Sequence, residues 1–313
     1  MFKYKSLYLF ISCFIFIVAC KSDQTSSNNS EQVLSNYEAL SESYEAYKSN
    51  SDQQTASKLV IQIMNQIAKV DMTDDQKMDL LETGYSISSK HKLTSRTVSF
   101  LYPLIKENKN APENENRLAE LANIMFDMNE EAAGNVLATG FVKSYPSSEH
   151  VEAIKKRITF NGENMDAYIM SLGERLFENP DFNGLNRAAC TEYIDACQAH
   201  ALAYPNSESS PTYLYKAAEV AKSIKSTQKA LTLYDWILDE YPNYDKAATT
   251  LFIKGFIIEN ELGNDALAKS VYDSFLEKYP KHELADDVQF LLDNLGKSDE
   301  EIAKMIEEKQ KNK

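Results

Sequence analysis

Two stretches of this chain carry one pattern at nearly one spacing, and no other feature narrows the choice of fold so far. Ala230-x-x-x-Tyr234 leads to Tyr241-Pro242, and Ala268-x-x-x-Tyr272 leads to Tyr279-Pro280. In both, the alanine stands twelve residues before the proline and the aromatic residue eight before it. A spacing of four puts both on one helical face, where the small residue admits a second helix and the ring fills the space beside it. Proline has no N–H to continue the ladder and marks the stop. Pro205, Pro242 and Pro280 follow each other at 37 and 38 residues, a period that belongs to helix-pair solenoids. The expected fold is all-α, a right-handed superhelix of stacked helical hairpins.

The rest of the chain agrees with that expectation. Nine glycines and eight prolines in 313 residues are few for a turn-rich β architecture. Apolar residues at helical spacing predict helices from Val33 to Lys48 and from Ser51 to Lys69. Thr73-x-x-Gln76 is a capping box opening a third. Further helices are expected over Ser95–Lys106, Glu115–Asp127, Glu130–Ser144, Ser148–Thr159, Met165–Phe177 and Asn186–Ala203. Two hairpins then follow, Pro211–Ser223 with Thr227–Glu240 and Asp245–Glu261 with Asp265–Lys278. Glu283–Leu295 comes next, and Ser298-x-x-Glu301 is a capping box for a charged last helix. Pro103 stands inside a helix, where a kink or break near Tyr102 is expected.

The N-terminus carries the chain's most specific signal. Lys3 and Lys5 precede a thirteen-residue apolar run, Leu7 to Ala19, too short to span a bilayer as a mature helix. It ends in Ile17-Val18-Ala19-Cys20, which resembles the bacterial lipobox. The resemblance implies cleavage before Cys20, a diacylglycerol on its sulfur and hence a membrane anchor; an uncleaved anchor or a conventional signal peptide is the alternative. Lys21 follows the cysteine, and in enterobacterial lipoproteins the absence of aspartate there favours the outer membrane. Lys21 to Ser30 holds no apolar side chain and reads as a flexible tether.

The Ala230/Tyr234/Pro242 and Ala268/Tyr272/Pro280 sets resemble the second helix of the tetratricopeptide repeat. In that family a small residue of the first helix comes twelve before the alanine; Ala217 and Gly255 stand thirteen before, so a turn one residue longer is expected in both hairpins. Lys216 and Lys254 replace the family's leucine. The match weakens at Tyr145-Pro146 and Tyr204-Pro205 and is absent before residue 130. Together with Cys20, the chain is similar to tetratricopeptide lipoproteins of Gram-negative envelopes, including the accessory lipoprotein of the barrel assembly machine; Leu251–Phe256 and Phe275–Pro280 resemble Bacteroidota homologues. The resulting organisation is a removed signal peptide over 1–19, a lipidated tether over 20–32, a degenerate helical-repeat region over 33–160, and tetratricopeptide-like repeats with a capping helix over 161–313.

Enzyme chemistry finds no foothold. Gly296-Lys297-Ser298 lacks the first glycine of a P-loop and follows a helix. Ser89-x-x-Lys92 and Ser226-x-x-Lys229 have the serine-lysine spacing of penicillin-recognising enzymes without their companion motifs. His91, His150, His200 and His282 are far apart, and Cys197 beside His200 makes two ligands and not four. Cys190 and Cys197 are seven apart on one helix, about 10.5 Å along its axis, beyond a disulfide, and read as core. A formal charge of −14 argues against nucleic acid and anionic lipid surfaces.

The expectation for function is a non-enzymatic scaffold or adaptor, lipid-anchored through Cys20 in the outer membrane and binding an envelope protein or peptide, with no cofactor, metal, nucleic acid or small-molecule substrate. The alternative is a structural subunit of an envelope machine such as barrel assembly or secretion. First helices line the inner face of helical repeats, so Phe252, Phe256, Glu259 and Asn260 are groove candidates; the competing reading packs Phe252 and Phe256 between repeats. Ala217, Ala230, Tyr234, Pro242, Gly255, Ala268, Tyr272 and Pro280 are the expected repeat-packing positions.

Overall fold

The computed structural model describes residues 31–69, 72–162, 164–297 and 300–301. The signal peptide, Cys20, most of the tether, the start of the Ser298 capping box and all but the first residues of the final helix lie outside them. The described residues are helical, with no strand beyond one isolated bridge between Phe182 and Leu185. No helix among them is long and apolar enough to cross a membrane.

The chain divides into two compact units between Leu104 and Ile105. The first holds α1 (Glu38–Ser49), α2 (Gln53–Ile67), α3 (Asp74–Lys90) and the larger part of α4 (Thr94–Glu107). α1 packs on α2 and α2 on α3, around Leu34, Leu40, Leu59, Ile63, Leu80, Phe100 and Leu104, none more than 1% exposed. Thr73 and Gln76 form the expected capping box, and Asp52 with Thr55 forms another. Removing these side chains from water is the main source of stability here. α4 runs through Pro103 without a break.

The second unit continues with α5 (Asn114–Asp127), α6 (Glu131–Ser144), α7 (Val151–Lys155), α8 (Met165–Glu174), α9 (Arg187–Ala203), α10 (Ser209–Ser223), α11 (Thr227–Glu240), α12 (Ala247–Asn260), α13 (Asp265–Lys278) and α14 (Ala285–Asn294). Consecutive helices pack as antiparallel hairpins, α5 with α6, α10 with α11 and α12 with α13, and α9 lies between α6 and α10.

One turn recurs at the end of each second helix. Tyr145, Tyr204, Tyr241 and Tyr279 all take φ between −126° and −132° and ψ between 49° and 58°. Each tyrosine N–H donates to the carbonyl four residues back at 2.8–2.9 Å, and its own carbonyl accepts from the N–H three residues on at 3.0–3.1 Å. Proline follows each tyrosine and disfavours the helical conformation there, so the helix ends at the tyrosine. The segment 108–114 makes the same pair of later bonds, Ala111 N–H to Asn108 and Asn114 N–H to Ala111, with Asn108-Lys109 in place of Tyr-Pro. Asn114 Nδ2 also donates to the Asn108 carbonyl at 2.6 Å, just as Ser210 Oγ donates to that of Tyr204 at 2.8 Å.

The turn inside the hairpins is shared too. Lys92, Asn129 and Lys225 are left-handed (φ 53°, 63° and 61°) in the middle of three-residue turns, and the next N–H reaches back five residues, Leu93 to Ser88, Glu130 to Met125 and Ser226 to Ala221. This is a Schellman-type helix end. The α12–α13 turn has four residues, with Gly263 left-handed at φ 60°. The extra residue expected in both turns is thus present only in the second, and it accounts for the period of 38 against 37. Counted from the preceding proline, the residue opposite Gly255 is Ala218, one place beyond Ala217; both alanines are fully buried.

Gly255 earns its place sterically. A Cβ there would lie 2.6 Å from the Tyr272 ring. Gly84 stands in the same relation to Phe100, at 2.3 Å, so a small residue under an aromatic ring also closes the α3–α4 hairpin, in a region where no repeat motif is visible.

Between Pro146 and Pro205 the periodicity fails. The helix expected over 148–159 is only α7, Val151–Lys155. Buried Asn135 of α6 is the cause: its Oδ1 accepts from the N–H of Thr159 at 2.8 Å and of Phe160 at 3.1 Å, and its Nδ2 donates to Thr159 Oγ1 at 2.9 Å. Those amides are withdrawn from any helix. The helix expected over 165–177 is α8 with a final 3₁₀ turn at Arg175–Phe177.

Candidate functional site

With the turns in register, residue ten after each proline is aromatic in three successive first helices: Tyr215 on α10, Phe252 on α12 and Phe290 on α14. All three are only partly buried, and Phe290 is 47% exposed. Phe256, one turn after Phe252, is 45% exposed, with the two ring centroids 6.2 Å apart. Equivalent positions on stacked first helices lie on one face, so these rings form a stripe. Packing between repeats, the competing reading of Phe252 and Phe256, does not describe a Phe256 this exposed. Aligned on its alanines the repeat puts Tyr215 one place out of register with Phe252; counted from its prolines it puts Tyr215, Phe252 and Phe290 at one position.

The other candidates take distinct places around this stripe. Asn260 is exposed, and its Nδ2 donates to the Phe256 carbonyl at 2.9 Å. Glu259 is partly buried and accepts from the Tyr272 hydroxyl at 2.6 Å. That bond has a counterpart in the previous hairpin, where Tyr234 donates to Glu219. In both tyrosines burial and then the neighbouring carboxylate raise the phenol pKa, so each stays a neutral donor. Ala230, Tyr234, Ala268 and Tyr272 are fully buried in their hairpins. Pro242 and Pro280 are exposed and act on the turn backbone.

Elsewhere the titratable groups are occupied structurally. His200 is 3% exposed, and its Nδ1 lies 3.1 Å from Ser210 Oγ. Ser210 gives its only proton to the Tyr204 carbonyl at 2.8 Å, so the imidazole must donate to the hydroxyl, the reverse of a serine-activating base. Burial pushes His200 down to about 4 and the Cys197 thiol up to about 12, which leaves neither a charged imidazole nor a thiolate near neutrality. Cys190 and Cys197 are free and buried. Lys229 donates to Gln198 at 2.9 Å, and Ser226 stands at the N-cap position of α11 without a side-chain capping bond, so the serine-lysine spacing there falls at a helix start. Among the described residues, no three His, Cys, Asp or Glu side chains gather to hold a metal ion.

The second unit also has a cleft of 320 Å³, lined in part by Lys106, Lys109, Asn114, Tyr145, Pro205 and Trp236. Its lysines are paired: Lys106 lies 3.8 Å from Asp239, and Lys109 lies 2.5 Å from Glu240. These pairs tie the end of α4 to the end of α11.

Residues 249–282 match the family model of the tetratricopeptide repeat, a span that runs from α12 through α13 to the turn before α14. No curated protein matches the chain. The chain is thus a tetratricopeptide-repeat-containing protein with an all-helical repeat fold, and repeats of this kind generally mediate protein–protein interaction.

Proposed function

We propose that the chain is a non-enzymatic scaffold that holds a segment of another protein against the stripe formed by Tyr215, Phe252, Phe256 and Phe290. The observation that carries this reading is an aromatic residue at one register position in three successive first helices, partly buried at Tyr215 and Phe252 and 47% exposed at Phe290. A ring in a soluble protein is normally core, and a row of them left open on a repeat surface is an anchor for apolar side chains. Asn260 borders the row. Lipidation at Cys20 would hold this scaffold at the outer membrane of a Gram-negative, Bacteroidota-like envelope, as the Ile17-Val18-Ala19-Cys20 motif supports. The second reading, a permanent subunit of an envelope machine such as barrel assembly or secretion, rests on the same motif and the same stripe.

Affinity capture from detergent-extracted membranes, run in parallel with wild type and a Phe252→Ala/Phe256→Ala variant, tests the role. Envelope proteins retained by the first and lost by the second are expected; identical captures would refute the stripe as the docking face. Partners that survive gel filtration in stoichiometric amounts would favour the machine subunit over the adaptor. Cys20→Ala should release the chain from the membrane fraction or block its processing, and unchanged membrane association would refute the anchor.

A further inference from the structure

The first rung of the stripe indicates what chemistry the others lack. Lys246 Nζ sits 4.7 Å from the centre of the Tyr215 ring, a distance at which the ring's negative face attracts the ammonium. Lys246 comes four residues after Pro242, in the turn that leads into α12; one repeat later the same place, four after Pro280, is held by Leu284. Among the described residues no cation of the chain lies over Phe252, Phe256 or Phe290. The chain therefore supplies a lysine to the first rung and none to the next two.

The charge around those two rungs is net negative. From Asp245 to Lys297 there are ten aspartates and glutamates against six lysines. Four of the lysines are already engaged, Lys246 over Tyr215, Lys254 with Asp235 at 2.6 Å, Lys269 with Asp273 at 2.7 Å and Lys297 with the Asp293 carbonyl at 2.7 Å. Exposed Asp286 and Asp287 stand in the first turn of α14, the helix that carries Phe290. An acidic segment would be repelled here, and a neutral one would leave the open ring faces and the carboxylates unanswered.

We propose that the stripe selects a basic amphipathic segment of a partner protein, its apolar side chains seated among Phe252, Phe256 and Phe290 and its lysines or arginines meeting the ring faces and the carboxylates of Asp286 and Asp287. This rests on the reading of the stripe as a docking face.

The test uses the full chain and three labelled helical peptides of equal length, one of leucine and lysine, one of leucine and glutamate, and one of serine and lysine, measured by fluorescence anisotropy. The leucine–lysine peptide should bind at least about tenfold more tightly than either of the others. Its affinity should weaken as salt rises and fall at least about tenfold in Phe252→Ala/Phe256→Ala. Asp286→Asn/Asp287→Asn, two exposed positions at which folding is not at issue, should weaken it by several-fold and flatten the salt dependence. Preference for the leucine–glutamate peptide, lost in the double-Phe variant, would overturn the basic partner and leave the docking face standing. Equal binding of the serine–lysine peptide, or binding untouched by the double-Phe variant, would overturn the stripe itself, as would no binding of any peptide. Circular dichroism of each variant separates these outcomes from loss of fold.

Discussion

Between Pro205 and Pro280 the second unit repeats itself, and between Pro146 and Pro205 it does not, although both intervals begin and end with the same Tyr-Pro turn. In the regular interval each helix end is held by its own backbone: a tyrosine in one conformation closes the second helix and a left-handed residue closes the first. In the irregular one a side chain from the previous hairpin, Asn135, takes over the amides of Thr159 and Phe160. In the regular stretch the Tyr241 hydroxyl donates to the Pro205 carbonyl at 3.1 Å and joins one Tyr-Pro turn to the next. Its helices close by local backbone bonds, so no helix end there waits on the side chain of an earlier hairpin. The irregular stretch depends on one.

Asn135→Ala therefore tests the contrast most severely. Two part-buried amides and a threonine hydroxyl lose their partner at once; a fully buried group left unsatisfied costs about 1–3 kcal/mol, and one that water reaches costs less. A loss of about 2 kcal/mol is expected in chemical denaturation. Tyr279→Ala, which removes a ring but leaves the turn's backbone bonds in place, should cost less. An Asn135→Ala chain as stable as wild type would mean that the backbone, and not Asn135, fixes this interval.

Inside the regular stretch the two hairpins solve one packing problem with different residues. Gly255→Ala pushes a methyl to 2.6 Å from the Tyr272 ring, and overpacking of this kind costs about 1–3 kcal/mol. Ala218→Gly at the equivalent place opens a void and loosens the helix, for about 1 kcal/mol. Both exchanges should lower the melting temperature. A stabilising Gly255→Ala would show that the α12–α13 hairpin can relax where its neighbour does not need to.

How much of this could be read beforehand follows from where each determinant sits. The Tyr-Pro turns, the Thr73–Gln76 capping box, the small-aromatic pairs and the buried Cys190 and Cys197 are all local, so spacing alone exposes them. The length of α7 depends on Asn135, more than twenty residues upstream, whose burial no periodicity announces. Both helices of the α3–α4 hairpin are legible, but its likeness to the later repeats is not, because Asn108-Lys109 does the work of Tyr-Pro. The stripe was half visible: Phe252 and Phe256 stand out as apolar residues on a first helix, whereas Tyr215 and Phe290 join them only once the extra residue of the α12–α13 turn is assigned to one hairpin.

α9, which closes the irregular interval, also carries the part-buried Asp195 and the buried His200, two groups with opposite pH behaviour. Desolvation raises Asp195 to about 6, Lys229 opposing and Glu130 adding to the shift. Its folded pKa lies above the unfolded value, so the stability it contributes is present at low pH and lost as pH rises from about 4 to 6. Desolvation lowers His200 to about 4, so its contribution is full above about 6.5 and lost as pH falls toward 4. Asp195→Asn separates them. It should stabilise the chain by about 1–2 kcal/mol at pH 7, and the gain should vanish by about pH 4. A gain that persists at pH 4 would assign the effect to packing.

The smallest effect concerns the left-handed residues that close the first helices. Lys92 and Lys225 adopt φ 53° and 61° with a Cβ that this region disfavours by about 1–2 kcal/mol, whereas Asn129 at φ 63° belongs to a residue type that tolerates it. Glycine removes that strain and adds freedom to the unfolded chain, so part of the gain is lost again. Lys225→Gly and Lys92→Gly should each stabilise by about 0.5–1 kcal/mol, and Asn129→Gly should change little. Both lysines lie in turns whose next N–H already reaches back five residues, so no hydrogen bond is exchanged and the ranking of the three reads backbone strain alone. If Asn129→Gly gains as much as the lysine variants, the turns are limited by something other than φ, and the self-contained helix end credited to the regular hairpins would have to be shared with side-chain contacts like those of Asn135.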